Sequence, residues 1–201
     1  MTGRRRKVEV RREELLTATL EQVERLGLAA TRVADVAQAL GVSPALVFYH
    51  FGTKDALLAE AFAYAVQRDL DRLDAAVARG TDPVDRLRRA MKEYGPTGSA
   101  PGWRLWIDAW AVALRDPGIR TVLRTLDRRW KTVLRQLIEE GVAAGSFRCD
   151  DPRGTVTRVV GLADGLAVGN VVHGKGSRAE LRRWVGDALA DELDLDRELL
   201  R

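Results

Sequence analysis

Two apolar stretches of about two turns each, VADVAQAL (33–40) and PALVFYHF (44–51), are separated only by Gly41, Val42 and Ser43. That gap limits the fold more than any other feature of the chain. Two short helices joined so closely need a tight turn, and Gly41 supplies it because glycine takes a positive φ freely. Ser43 is a suitable N-cap, and Pro44 stands at the first helical position, where a missing N–H costs nothing. Ala37 is small enough for close approach, and Val36, Leu40, Val42 and Val47 supply a buried hinge. The pattern is a helix-turn-helix.

The rest of the chain also reads as helix, with no sustained period-two alternation. Leu15, Leu16, Leu20, Val23 and Leu26 share one face of a first helix running from Arg11 to Leu26, with Thr31 the expected N-cap of the second. Gly52 closes the third. A long helix spans Lys54 to about Ala78, and a shorter one Pro83 to about Tyr94. Gly95 to Gly102 is a loop by composition. Further helices are expected around Trp103–Leu114, Ile119–Ala144, Pro152–His173, and from Ser177 to about Leu193. The expected architecture is all-α with about nine helices: an N-terminal three-helix head, residues 1–53, on a larger C-terminal helical body, residues 54–201.

The 201 residues suffice for a well-buried core. A single cysteine, Cys149, allows no intramolecular disulfide and fits a reducing cytosol. No apolar run approaches the ~18 residues that span a bilayer; the nearest, VVGLADGLAVGNVV, is shorter and contains Asp164. The first twelve residues carry five net positive charges, whereas the whole chain carries +4, so the basicity is concentrated in an N-terminal arm. Such an arm suits nucleic acid, or is simply solvated.

The second helix of a helix-turn-helix enters the major groove. Here it contains no Arg, Lys, Asn or Gln, the side chains that make bidentate base contacts. Readout then rests on apolar contacts, such as Ala45 or Leu46 against thymine methyls, with Tyr49 and His50 donating to phosphates. Phe48 reads equally as contact or as core. Lys54 sits in the first turn of a helix, where the dipole disfavours a cation. A phosphate at that N-terminus would account for it.

TRVADVAQALGVSPALVFYHFGTKDALL resembles the DNA-binding head of the TetR family of bacterial repressors. The likeness falls on Thr31, Asp35-Val36-Ala37, Gly41-Val42-Ser43, Phe48-Tyr49-His50-Phe51, Lys54 and Leu57-Leu58. Arg32 replaces a common Thr or Ser, and Leu46 and Phe48 replace a more usual polar residue and Tyr. The resemblance implies DNA contacts from Arg4, Arg5, Arg6, Thr31, Arg32, Ser43, Pro44, Ala45, Leu46, Phe48, Tyr49, His50 and Lys54. It also implies an effector pocket in the body and a homodimer made by the last two helices.

Gly161, Gly165 and Gly169 recur every four residues on one helical face, and mid-helix glycine costs about 1 kcal/mol relative to alanine. Close approach of another helix, from a second copy or from the same chain, accounts for them. Trp184, Val185, Ala188 and Leu189 offer a matching face on the last helix. Leu162 to Val168 resembles a segment of family members with a choline-type repressor body. Candidate ligand residues are Met91, Tyr94, Trp103, Trp106, Trp110, Trp130 and Asp164, as walls for an apolar or cationic ligand or, for the tryptophans, as plain core.

These features lead to a cytoplasmic, ligand-responsive transcriptional regulator, most simply a repressor. Its expected partners are a palindromic double-stranded operator, a small-molecule effector and a second copy of itself, with no membrane, metal or cofactor. A non-specific architectural DNA binder is the alternative. A small helical enzyme is a third reading, for which His173 with Asp164 is the one conceivable acid–base pair.

Overall fold

In a computed structural model, backbone is described for residues 2–94 and 102–200, and side chains for 12–94 and 103–200. Arg4, Arg5, Arg6 and the loop expected at Gly95–Gly102 therefore fall wholly or largely outside the described side chains. The described residues form nine α-helices and no strand. They are α1 (Thr2–Leu26), α2 (Val33–Leu40), α3 (Pro44–Phe51), α4 (Lys54–Ala78), α5 (Pro83–Tyr94), α6 (Gly102–Ala113), α7 (Pro117–Ala143), α8 (Pro152–His173) and α9 (Arg178–Glu192). A 3-10 turn, Arg197–Leu200, follows.

The caps explain most boundaries. Ser43 accepts from the Leu46 N–H at 3.3 Å with Pro44 next to it, as expected. Thr53 caps α4 through the Ala56 N–H at 3.1 Å. Asp151 accepts from the Gly154 N–H at 2.9 Å to open α8. Ser177 and Glu180 bond each other's backbone N–H groups at the start of α9, a reciprocal capping box. Helix α2 departs from expectation. Its cap position is Arg32, whose N–H donates to Asp35 at 2.9 Å, while the Thr31 hydroxyl donates back to the Gly27 carbonyl at 2.8 Å.

The chain divides into two compact units, with the divisions falling inside α4, near the start of α6, and inside α7. One comprises residues 1–68 and 104–125, the other 69–103 and 126–201. In the first, Leu15, Leu16 and Ala18 of α1, Val33, Val36 and Ala37 of α2, Val47 and Phe51 of α3, and Leu57 and Ala61 of α4 form one buried cluster. Leu40 lies at the rim rather than in the hinge. In the second unit Leu73, Leu87, Leu134, Ile138, Leu181, Leu189 and Leu193 are fully buried.

Helix α8 is longer and more uniformly apolar than its sequence run suggests: by length and composition alone it could cross a bilayer. Its Val156, Val159, Val160, Ala163 and Ala167 are buried against the chain's own core.

Gly41 takes φ 63° and ψ 32°, the left-handed region, and its turn brings the Val42 N–H to the Ala37 carbonyl at 2.9 Å. An alanine there pays the Cβ penalty of that region, about 1 kcal/mol, and asparagine less. Gly41→Ala is expected to lower the urea midpoint by that amount, and Gly41→Asn by a smaller one.

Candidate nucleic-acid interface and aromatic box

Helix α3 has two sides. Val47 and Phe51, four residues apart, are buried. Pro44, Ala45, Phe48 and Tyr49 are exposed on the other side, Phe48 at 46% and Tyr49 at 82%. Phe48 is thus a surface residue and not core. Leu46 and His50 flank the two faces, half-buried. The Tyr49 and His50 rings meet edge-on at 5.5 Å.

Arg12 of α1 fastens this helix. Its guanidinium donates to the His50 carbonyl at 2.9 Å, pairs with Glu60 of α4, and lies 4.6 Å from the centre of the Phe51 ring. A cation on a carbonyl of the last turn satisfies an orphan acceptor and complements the helix dipole. Nothing in the sequence pattern marks Arg12 for this task, since its partners lie 38 and 48 positions away.

The α1–α2 loop is held from three directions. The Thr31 hydroxyl bonds Gly27, the Asp108 carboxylate of α6 accepts from the Leu28 N–H, and Lys54 Nζ donates to the Ala29 carbonyl at 3.0 Å. Two of the candidate DNA contacts change meaning here. Thr31 is 1% exposed, with its hydroxyl engaged, so its side chain is out of reach of a phosphate. Lys54 has an intrachain acceptor that explains its place in the first turn, and its two other ammonium hydrogens are not used by that bond. Arg32, Ser43, Pro44 and Ala45 are exposed.

A cavity of about 770 Å³ lies in the same unit, lined by Ala29, Ala56, Ala59, Asp108, Val112 and Arg115 among others. None of the candidate ligand residues lines it. Trp106 packs edge-on against buried Phe62 at 5.1 Å in this unit. Trp110, also here, is half-buried.

In the second unit, four of the candidate ligand residues converge. The Tyr94 hydroxyl donates to Asp164 Oδ1 at 2.7 Å. The Tyr94 ring meets Trp130 edge-on at 4.8 Å and Trp103 at 6.3 Å. Met91 is half-buried one turn before Tyr94 on α5. Burial holds the Asp164 carboxyl above the usual carboxylate range, and Asp127 pushes the same way. The Tyr94 hydrogen bond and Lys131 oppose the rise. Burial, and then the Asp164 charge, raise the Tyr94 phenol, which therefore stays a donor. Lys131 is itself paired with Asp127 at 2.8 Å, so the nearby cation is shared between two carboxylates. The imagined Asp164–His173 pair does not form: Asp164 bonds Tyr94, and His173 is exposed.

The candidate interface with a second copy divides in two. A Cβ added at Gly161, Gly165 or Gly169 meets nothing within 4 Å among the described residues. Close packing within the chain therefore does not explain these glycines. Leu162, Val172 and Trp184 are exposed, and Ala188 is half-buried. Val185 and Leu189 are corrected: at 4% and 2% exposed, they face the chain's own core. Periodicity gave them the right helix but the wrong side.

The fold and the outward second helix of the turn place the chain in the class of helix-turn-helix proteins with a further helical unit. Residues 15–61 match the family of bacterial regulatory proteins called the tetR family, and residues 83–194 match the family described as BetI-type transcriptional repressor, C-terminal. The chain belongs to the TetR family and carries the BetI-type C-terminal domain. It is 34% identical over 127 residues to the HTH-type transcriptional regulator BetI of Stenotrophomonas maltophilia (strain R551-3), a match over 60% of this chain and 63% of that protein. That region is under two thirds of the relative's length. Against the BetI of Ectopseudomonas mendocina (strain ymp) it is 27% identical over 205 residues, covering 92% and 93%. Its fold resembles a transcriptional regulator from Saccharomonospora viridis crystallised in complex with choline. There the TM-score is 0.86 and the identity 28%, with 92% of this chain and 98% of that one covered.

Two stability outcomes follow. Arg12→Ala is expected to lose about 1–2 kcal/mol in urea unfolding, and adding Glu60→Ala to it should cost little more, because the pair acts as a unit. For Asp164 the folded pKa is raised, so its favourable contribution is present below the ordinary value of 3.8 and is lost as pH rises through the folded value. Asp164→Asn, which keeps an acceptor for Tyr94, should raise the Tm at pH 7. The gain should shrink as the pH falls toward that ordinary value.

Proposed function

We propose that the protein is a cytoplasmic, ligand-responsive repressor of transcription and not an enzyme. It binds a palindromic operator as a homodimer, and a small organic monocation releases it. The observation that carries the DNA part is the outward face of α3, with Phe48 and Tyr49 exposed while Val47 and Phe51 are buried. Ser43, Pro44, Ala45 and Leu46 lie toward the groove. Arg32, Tyr49, His50, the free hydrogens of Lys54 and the arm's Arg4, Arg5 and Arg6 serve phosphates. The division of labour is a head of residues 1–53 for DNA, with residues 54–201 for effector and dimer.

The effector reading is supported by the box around Asp164. The half-buried Asp164 carboxylate accepts from Tyr94, whose ring meets Trp103 and Trp130, and the Lys131 near it is shared with Asp127. A quaternary ammonium group would add positive charge at this carboxylate and also suits the ring faces. Choline, the ligand crystallised with the Saccharomonospora viridis regulator, has this chemistry and is the first probe to use. The cation releases DNA only by binding the DNA-free state more tightly. The dimer reading is supported by the open glycine face of α8 and by the exposed Trp184 of α9.

Selecting bound duplexes from a random pool is expected to return a two-fold symmetric site whose affinity falls steeply with salt. Choline should weaken that binding and change tryptophan fluorescence, and Asp164→Asn should raise the choline Kd at least tenfold. A pool without symmetry, or DNA binding indifferent to every small cation, would leave the architectural DNA binder as the better reading. Gly165→Leu should leave helix content and Tm undiminished in the monomer while shifting sedimentation from dimer to monomer.

A further inference from the structure

We infer that the protein identifies its DNA site chiefly through pyrimidine 5-methyl groups, read by Pro44, Ala45 and Phe48, so that 5-methylcytosine is accepted where thymine is. The inference rests on the proposed DNA-binding reading and specifies its chemistry.

The exposed face of α3 is unusual in what it lacks. The side chains of Pro44, Ala45 and Phe48 consist of carbon alone, and they sit together at helical spacing in the first two turns. The first turns of a recognition helix are the part that meets base edges. The polar side-chain atoms beside them are few. Ser43 Oγ is engaged as the cap of α3, and the Tyr49 hydroxyl lies at the far end of a side chain 82% exposed. Leu46, between the two faces, adds more carbon.

Such a surface has one apolar feature to recognise in the major groove, the C5-methyl of thymine. Set against guanine O6 and N7 or cytosine N4, the same surface buries a donor or acceptor with no partner, which costs more than a neutral contact. Phe48 therefore acts in both directions: it favours a methyl and penalises a bare G·C edge. A methyl on cytosine C5 projects into the groove at the equivalent place. It restores the apolar contact on a base pair that otherwise carries the penalty.

The test uses the full chain and the duplex recovered from a random pool. Thymines of one half-site are replaced singly by deoxyuridine, which lacks only the methyl. At each thymine read by α3, affinity is expected to fall about fourfold, the size of one buried methyl group. Replacing such a T·A pair by C·G should weaken binding further, and 5-methylcytosine there should recover about fourfold over cytosine. Phe48→Ala, on a side chain already 46% exposed, should keep its Tm and lose the deoxyuridine effect at the position it reads. Tyr49→Phe should keep that effect. Equal binding of thymine and deoxyuridine duplexes would overturn the inference while leaving the DNA-binding reading intact. So would a consensus fixed at G·C pairs indifferent to methylation. If the pool yields no retained duplex at all, the DNA-binding reading itself falls, and this inference with it.

Discussion

An isolated eight-residue helix is not stable in water, so everything α3 presents outward depends on what it buries. Val47 and Phe51 enter the cluster made by α1, α2 and α4. Ser43 closes one end, and Arg12 closes the other through the His50 carbonyl while stacking on Phe51. The anchor and the clamp meet at Phe51, which is both core residue and partner of the guanidinium. The helix is thereby held at both ends and along one side, leaving four residues free. A surface of so few side chains discriminates only when it is presented rigidly, because ordering it on contact would cost more than it gains. The same reasoning assigns Lys54 and Asp108. They fix the loop that leads into α2 and so set where the turn begins.

The second unit follows the opposite logic. Where the head satisfies its polar groups, the box leaves the Asp164 carboxyl partly desolvated on a neutral donor, Tyr94, whose ring meets two indoles. Its raised pKa records that burial in the folded chain disfavours the charged form of this carboxyl. In the proposed reading that disfavour is the source of ligand affinity: a monocation relieves a strain the apo protein bears. Tyr94 contributes by remaining protonated, orienting the carboxylate without neutralising it.

Much of the fold was legible in the sequence because helix ends carry local chemistry. Ser43-Pro44, Thr53, Asp151-Pro152 and Ser177 each announce a start within three residues of the bond they make. What was not legible involves partners distant in sequence. Thr31 reads as a cap from its neighbours, yet its hydroxyl turns back to Gly27. Lys54 reads as an anion site until Ala29 is seen beneath it. Trp103 and Trp106 are three positions apart and read as one stripe, yet one meets Tyr94 and the other Phe62. Periodicity tells which residues share a face. It does not tell whether that face meets the chain's own core, a ligand or a second copy, and Val185 and Leu189 are the clearest instance.

Helix α8 shows why that distinction is physical. Its sides meet three environments: the valines and alanines of the core, the box at Asp164, and the open glycine row. The core and glycine sides are both apolar, so the mean hydropathy of the helix is high enough to suit a bilayer. A lipid-facing helix, however, gains from large side chains where this one has glycine. In the proposed reading, glycine that leaves space unfilled within its own chain is explained by backbone approach from a second copy, since it otherwise destabilises the helix. Asp164 and Gly165 are adjacent, one turning to the box and the next to the open side. A shift of α8 small enough to reseat one is large enough to disturb the other, because close-packed helix faces tolerate little displacement. In the proposed reading, effector and partner copy therefore act on the same rigid element.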